Sequence, residues 1–426
     1  MKILFIACYS PLINNSASIE TLQYLNNLAK IYGNEVHLLT VNFPKNSIYY
    51  DEYILSMLDK RVKMHIISGG KIFEKIMPKK SLNTETINIA KNKKSFVKTL
   101  LKKGKSIVAV PDMYFNWAKS ASKYGIELVK REKFDVMFSM HEPPSSHICA
   151  LKIKEEFRDL PWVTYWSDPW LKDSTRANIS KARRKFEGSF EKKIVELSDR
   201  FIFVTKANRD DYVSSYNIPM EKTFIVTRGY DEKQYSEIKK SARPNLINKD
   251  KVNFVYAGEI FSKLRDVNPF IGALNNIKEK NIELYNKLNV MFFGNIDDEY
   301  IKNKLMKAEN VNVSPRIPYD EALGYMLNSQ VLLLFGNKNS KQIPAKIYDY
   351  FGAEGIIFVI LGDENDPIRD VVENKKKCIV VNNNTHEIVN GINKIVSMLE
   401  NNEKYGPIEE YKWQYISERL NDILKG

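Results

Sequence analysis

Lys346 and Asp349 stand three residues apart in Gln342–Gly352, a stretch reading Gln-Ile-Pro-Ala-Lys-Ile-Tyr-Asp-Tyr-Phe-Gly. On a helix that spacing puts a cation and a carboxylate on one face, one turn apart. The apolar runs Val331–Phe335 and Ile356–Ile360 flank the stretch and read as buried strands, so the helix is expected to join two strands of a parallel sheet. Pro344 suits the first helical position, because its ring presets the helical φ and its missing N–H costs little there. A helix start beside a lysine favours a phosphate, and a carboxylate one turn on can accept bonds from two sugar hydroxyls. A nucleotide is the ligand this pairing implies. Taken alone, such a pairing is more often a solvated ion pair on a helix.

Other loops at strand ends carry candidates. Cys8–Ser18 brings the small residues Ser16 and Ala17, with Ser18 a plausible N-cap for the next helix. His141–His147 (His-Glu-Pro-Pro-Ser-Ser-His) is stiffened by two prolines. Ser145 or Ser146 could cap the helix behind it. His141 and His147 could contact a sugar or handle a proton, or serve as structural histidines. Ser167–Trp170 puts Asp168 before Pro169, which is a turn signal and a candidate substrate contact. Val255–Asp266 combines a strand end, the turn residue Gly258, and the basic residues Lys263 and Arg265. Arg265 can grip a diphosphate with two parallel N–H groups.

The elements that must position these loops form two series. Lys2–Cys8, Glu35–Val41, Lys63–Ile67, Asp135–Met140, Trp162–Trp166, Arg200–Val204 and Thr223–Thr227 read as strands with helices between them. After the polar stretch Lys239–Asp250 the pattern restarts with Val252–Ala257, Asn289–Phe293, Val311–Val313, Val331–Phe335, Ile356–Ile360 and Cys378–Val381. Alternating strands and helices predict parallel sheets covered on both faces, and two series predict two α/β domains. In such sheets ligands bind beyond the carboxyl ends of the strands. Tyr411–Leu424 reads as a final amphipathic helix.

The 426 residues, 43% hydrophobic, suffice for two or three full cores. The apolar run at Met1–Cys8 is too short for a signal peptide. No run of 18 apolar residues occurs, so no spanning helix is expected. Three scattered cysteines argue against a disulfide framework and for the cytoplasm. Five histidines without ligand spacing argue against a metal site. The net charge of +13 is concentrated: Lys71–Lys105 holds eleven lysines against two glutamates. Phe73, Met77, Phe96, Val97, Leu100 and Leu101 are interleaved there. That is the pattern of a basic amphipathic segment on an anionic membrane surface, or of a solvated insertion. No nucleic-acid-binding motif accompanies the charge, so no nucleic-acid partner is expected.

Together these loops resemble the retaining family-4 glycosyltransferases, and the likeness runs along nearly the whole chain. It is carried by Lys2–Ser18, Pro143-Pro144, Ser146-His147, Asp168-Pro169-Trp170, Arg228-Gly229-Tyr230-Asp231, Tyr256–Arg265 and Ile343–Tyr350. The resemblance implies a GT-B fold: two Rossmann-like, doubly wound parallel-sheet domains facing across a cleft. Residues 1–230 would form an acceptor-binding domain with the basic insertion at about 71–105. Residues 231–405 would bind the nucleotide sugar, and 406–426 would be a helix packing back toward the first domain. Arg265 and Lys346 would hold the donor diphosphate, with His147 as the third catalytic residue. Asp349, Gly258, Lys263, Pro344, Arg316, Ser16 and Ala17 would bind the donor, and His141, Asp168 and Trp170 the acceptor.

The activity so implied is metal-independent transfer, with retention, of a sugar from a UDP- or GDP-linked donor to a glycan or lipid-linked acceptor. Bacterial surface polysaccharide synthesis at the inner face of the plasma membrane is the setting. No cofactor is implied beyond the donor itself. Five positions depart from the family pattern: Asp349 stands for a glutamate, Lys341 for an acidic residue, Ser16-Ala17 for a pair of glycines and Ser167 for an arginine. The other readings are a nucleotide-sugar epimerase on the same plan and a non-catalytic protein of the membrane surface.

Overall fold

The computed structural model describes residues 1–79, 110–173, 176, 178–241 and 243–426. They divide into two compact units: residues 1–226 with 416–426, and residues 227–415. The polar stretch Lys239–Asp250 therefore lies inside the second unit rather than at its border.

In the first unit seven parallel strands run in the order β3-β2-β1-β4-β5-β6-β7. They are β1 Lys2–Ile6, β2 Glu35–Asn42, β3 Lys63–Ser68, β4 Val136–Met140, β5 Trp162–Trp166, β6 Arg200–Phe203 and β7 Thr223–Ile225. In the second unit six parallel strands run in the order β10-β9-β8-β11-β12-β13. These are β8 Val252–Ala257, β9 Leu288–Phe293, β10 Val311–Ser314, β11 Val331–Phe335, β12 Ile356–Ile360 and β13 Cys378–Val381. Helices covering both faces make the central strands β4, β5, β9, β11 and β12 buried at every residue. That is why they appear in the sequence as unbroken apolar runs. Each strand order reverses once, between β1 and β4 and between β8 and β11. Loops diverge at those two points and leave a crevice. This is the GT-B architecture.

Several helix starts differ from expectation. Asn15, not Ser18, caps the Ser16–Lys30 helix, accepting from the Ser18 amide at 2.7 Å, so Ser16 and Ala17 are helical. Asparagine caps as well as serine does, and it comes first in the chain. Ser145 and Ser146 lie inside the Ser145–Glu156 helix, whose cap is Pro144 without a side-chain bond. Their hydroxyls are engaged elsewhere: Ser145 Oγ donates to Asp112, and Ser146 Oγ accepts from the Cys8 amide. Pro344 precedes the Lys346–Phe351 helix by two residues, with Ala345 as cap. That helix has only six residues, so its dipole is small. The buried Lys377 closes its end: Nζ donates to the carbonyl of Tyr350 in the helix, of Ala353 just beyond it, and of Gly406.

In the Lys71–Lys105 stretch, Phe73 and Met77 are not lipid-facing. Both are buried, and the Phe73 ring lies 5.3 Å from Tyr114 and 5.6 Å from Phe43. Phe96, Val97, Leu100, Leu101 and most of the lysines lie outside the described residues. Among the described residues, no helix is long and apolar enough to cross a membrane.

Candidate active site

The β8–β11 reversal gathers the cations of the second unit. β8 ends at Ala257 and turns at Gly258, whose φ of +153° is a conformation few side chains tolerate. The Lys346 ammonium fills the space over this glycine: a Cβ there would meet Nζ at 2.5 Å. Nζ also donates to the Tyr256 hydroxyl at 3.2 Å and sits 4.3 Å from the centre of that ring. Arg265 approaches the same hydroxyl, with Nη1 at 3.3 Å. Its Nη1 also donates to the Glu259 carbonyl at 2.6 Å and its Nε to Asn337 Oδ1 at 3.0 Å. Burial, with the Arg265 cation adding to it, holds Lys346 below the usual lysine range. A cation shed of water beside a second cation is a receptor for an anion.

Asp349, one turn beyond Lys346, is half-buried. The Tyr235 hydroxyl lies 3.2 Å from its Oδ1 and 3.2 Å from its carbonyl oxygen. Loss of water pushes its carboxyl up to about 6, against the opposing pull of Tyr235, Arg228 and Lys346. The structure thus brings Arg265, Lys346, Gly258 and Asp349 together. Pro344 is buried just ahead of the helix, its carbonyl accepting from the Ile347 amide at 3.2 Å. Lys263 is exposed, apart from this group. Arg316 is exposed in the loop after β10, the outer strand of the sheet, two strands from β8. Ser16 and Ala17 belong to the other unit.

The β1–β4 reversal of the first unit holds a cavity of about 400 Å³. His141, Asp168, Tyr9, Asp112, Glu142, Asp173 and Arg176 line it. Two expected acceptor contacts, His141 and Asp168, are therefore neighbours there. The His141 ring stacks on Trp166 at 5.4 Å, and burial pushes its pKa down to about 3, so it is neutral at pH 7. Glu142 adopts φ +79°, a costly conformation for a residue with a side chain, on the cavity wall. Asp112 accepts from the Ser145 amide and hydroxyl at 2.9 and 2.6 Å, while burial raises its pKa. Arg176 is tied to the wholly buried Glu187, which also accepts from Arg183 Nε at 2.6 Å and Trp170 Nε1 at 2.7 Å.

Trp170 and His147 do not line this cavity. Trp170 is fully buried on Glu187. His147 is fully buried, with Nδ1 2.8 Å from Ser139 Oγ and its ring 4.6 Å from Trp166. Sequence reasoning passed over the hydroxyl of Tyr256 and Asn337 beside the cations, Tyr235 beside Asp349, and Tyr9, Asp112, Glu142 and Arg176 in the cavity. Tyr256 and Tyr235 read as core aromatics, and only the fold brings their hydroxyls to charged partners. Asp112, directly after Pro111, carried a turn signal that could have drawn notice.

Among the described residues, one group has metal-ligating atoms close together: those of Glu35, His37 and Glu132 lie within 4.8 Å of one another. Lys2 and Lys63 already neutralise it, with Lys2 3.0 Å from Glu132 and Lys63 paired to Glu35. Both carboxyls are held down to about 2, by hydrogen bonds from Lys63 and from Lys2 respectively. It is an ion-pair cluster at the opposite, amino end of the strands.

Residues 91–234 match the model of the family described as Glycosyltransferase Family 4. Together with the two sheets, this decides the class. The chain is a glycosyltransferase of GT-B type. Among solved structures, this glycosyltransferase is similar to one from Rickettsia africae, with TM-score 0.63 and 11% identity over 100% of this chain and 97% of that one. It is similar to HepE of Anabaena in complex with UDP, with TM-score 0.62 and 11% identity over 100% and 99% of the two chains. It is also similar to the UDP-GlcNAc 2-epimerase of Neisseria meningitidis bound to UDP-GlcNAc, with TM-score 0.57 and 12% identity over 100% and 99%. At these identities the likeness is one of fold. No curated protein sequence matches the chain.

Proposed function

We propose that this glycosyltransferase moves a sugar from a UDP- or GDP-linked donor to a glycan or lipid-linked acceptor, with retention and without a metal ion. The observation that carries the proposal is the pair of cations, Arg265 and Lys346, gathered on one hydroxyl above Gly258 with Asp349 one turn away. As the glycosidic bond to the diphosphate breaks toward an oxocarbenium-like state, negative charge grows on the leaving phosphate. Arg265 and Lys346, already in place and largely shielded from water, stabilise that charge without reorganising. The Asp349 carboxylate accepts the ribose hydroxyls. The acceptor sugar occupies the cavity of Asp112, His141 and Asp168, where carboxylates accept hydroxyl protons and neutral His141 lies against the wall. Retention and metal independence rest on the family resemblance. Surface polysaccharide synthesis at the inner face of the membrane rests on that resemblance and on the lysine-rich segment.

The deciding experiment is a thermal-shift screen against UDP, GDP and their sugars, followed by a transfer assay on the donor that binds. Binding raises the melting temperature by mass action. The α- or β-configuration of the product, read by NMR, tests retention, and transfer undiminished in EDTA tests metal independence. No stabilisation by any nucleotide would overturn the reading. The fold likeness to a UDP-GlcNAc 2-epimerase supports a second reading. Epimerised nucleotide sugar formed without acceptor would favour it.

A further inference from the structure

Two cations drawn to one place repel each other, and something uncharged must hold them there until an anion arrives. We infer that the Tyr256 hydroxyl is that positioning group, with Asn337 as its assistant. Tyr256 is wholly buried in β8 and cannot reach bulk water. Its hydroxyl donates to the Glu259 carbonyl at 2.9 Å, which turns both oxygen lone pairs outward. Arg265 Nη1 and Lys346 Nζ approach those lone pairs at 3.3 and 3.2 Å. A phenol oxygen has room for two incoming protons once its own is given away, so both cations are fixed by a single neutral atom.

The ring does further work. Its face lies 4.3 Å from Lys346 Nζ, a cation–π distance, and its edges pack on Phe292 and Phe335 in the core of the sheet. Asn337, 5% exposed, accepts from Arg265 Nε at 3.0 Å and donates to the Gln342 carbonyl at 3.2 Å. It thereby ties the arginine to the chain leading into Lys346. These bonds use Nε and Nη1 of Arg265, and Nη2 has no protein partner among the described residues. The clamp therefore holds the guanidinium through Nε and Nη1 and leaves Nη2 for a ligand. A carboxylate in place of Tyr256 would hold the cations more strongly, but would cancel the charge meant for the diphosphate. A neutral acceptor positions them and leaves their charge intact.

The inference rests on the reading of Arg265 and Lys346 as the diphosphate site, and the test separates the two. Tyr256→Phe keeps the ring and its packing and removes only the hydroxyl. UDP binding by calorimetry and donor kinetics are measured for the wild type, Tyr256→Phe, Lys346→Ala and Tyr256→Phe/Lys346→Ala. The expected result for Tyr256→Phe is UDP affinity lower by about tenfold, as for loss of one bond to a charged group. In kinetics kcat falls more than donor KM changes, because misplaced cations cost most when charge develops. In the Lys346→Ala background the same substitution costs markedly less, since one of its two clients is gone. Wild-type UDP affinity and kcat in Tyr256→Phe, with Lys346→Ala impaired, would overturn the role of Tyr256. So would losses that simply multiply in the double variant. Unchanged UDP binding in Lys346→Ala would instead overturn the site reading beneath it. If Tyr256→Phe melts too low to assay, Asn337→Ser provides the second arm, with reduced UDP affinity expected and unchanged affinity counting against the clamp.

Discussion

At the scale of single residues, function divides between groups that carry charge and groups that place it. Arg265→Ala and Lys346→Ala should each lower turnover by about a hundredfold, as for loss of one preorganised partner of a developing anion. Steady-state kinetics against an unchanged melting curve is the check. Asp349 makes a pH-dependent prediction, because its carboxyl titrates near 6. Acceptance of ribose hydroxyls needs the ionised form, so UDP affinity should fall as pH drops from 7 to 5. Asp349→Asn should lose affinity at pH 7, by about 1–3 kcal/mol, and show a shallower profile, what remains being the terminal phosphate of UDP, which itself titrates at about 6. Calorimetry at several pH values decides it. Stability runs the other way. A carboxyl whose pKa is raised on folding contributes stability fully present below its unfolded value of about 4 and lost as pH rises through about 6. Asp349→Asn should therefore match wild type near pH 4 and be the more stable protein at pH 7, as read from urea midpoints. A protein stabilised by removal of a residue proposed to bind its donor would show the usual cost of a functional site.

At the scale of elements, the site is a product of strand order. Gly258 follows the last residue of β8, and the chain into Lys346 follows β11, its neighbour across the reversal. Only that adjacency lets an ammonium from one connection occupy the space above a glycine in another. Gly258→Ala should therefore act twice. The added Cβ would displace Lys346 Nζ, and φ +153° would strain any side chain. The expected outcome is UDP affinity down by about tenfold or more, with stability down by about 1–2 kcal/mol. Calorimetry together with denaturant melts separates the two effects, and wild-type affinity would mean that Lys346 is not held where it is described.

At the scale of the whole molecule, charge is segregated. The chain is +13, yet the first-unit cavity is lined by Asp112, Glu142, Asp168 and Asp173 against Arg176, which Glu187 already engages. The excess positive charge includes the lysines of 71–105, most of them outside the described residues. They should bring the protein to anionic vesicles. Lys93, Lys94, Lys102 and Lys103 changed together to Gln should release it, at about 1 kcal/mol per lysine near the surface. Added salt should weaken wild-type binding, since exposed charges are screened within about 8–10 Å. Sedimentation with vesicles is the assay, and equal binding by both proteins would make the segment a solvated insertion.

The amino-acid sequence by itself determined the two sheets. Apolar runs such as Trp162–Trp166, Val331–Phe335 and Ile356–Ile360 read as strands, and each is buried along its whole length. Such runs are legible because burial is local to each strand. Arg265 and Lys346 were legible as basic residues at strand–helix turns, but their proposed role came from the family resemblance, because a lysine and an aspartate one turn apart are more often a solvated ion pair. Which groups they touch was decided by tertiary structure alone. Tyr256 is one more aromatic in a core strand until the Lys346 connection folds over Gly258. His147 and Trp170 stood out as polar and aromatic residues in promising loops, and packing buried both. Pairing between residues ninety positions apart, as for Tyr256 and Lys346, depends on strand order, and no local pattern encodes strand order.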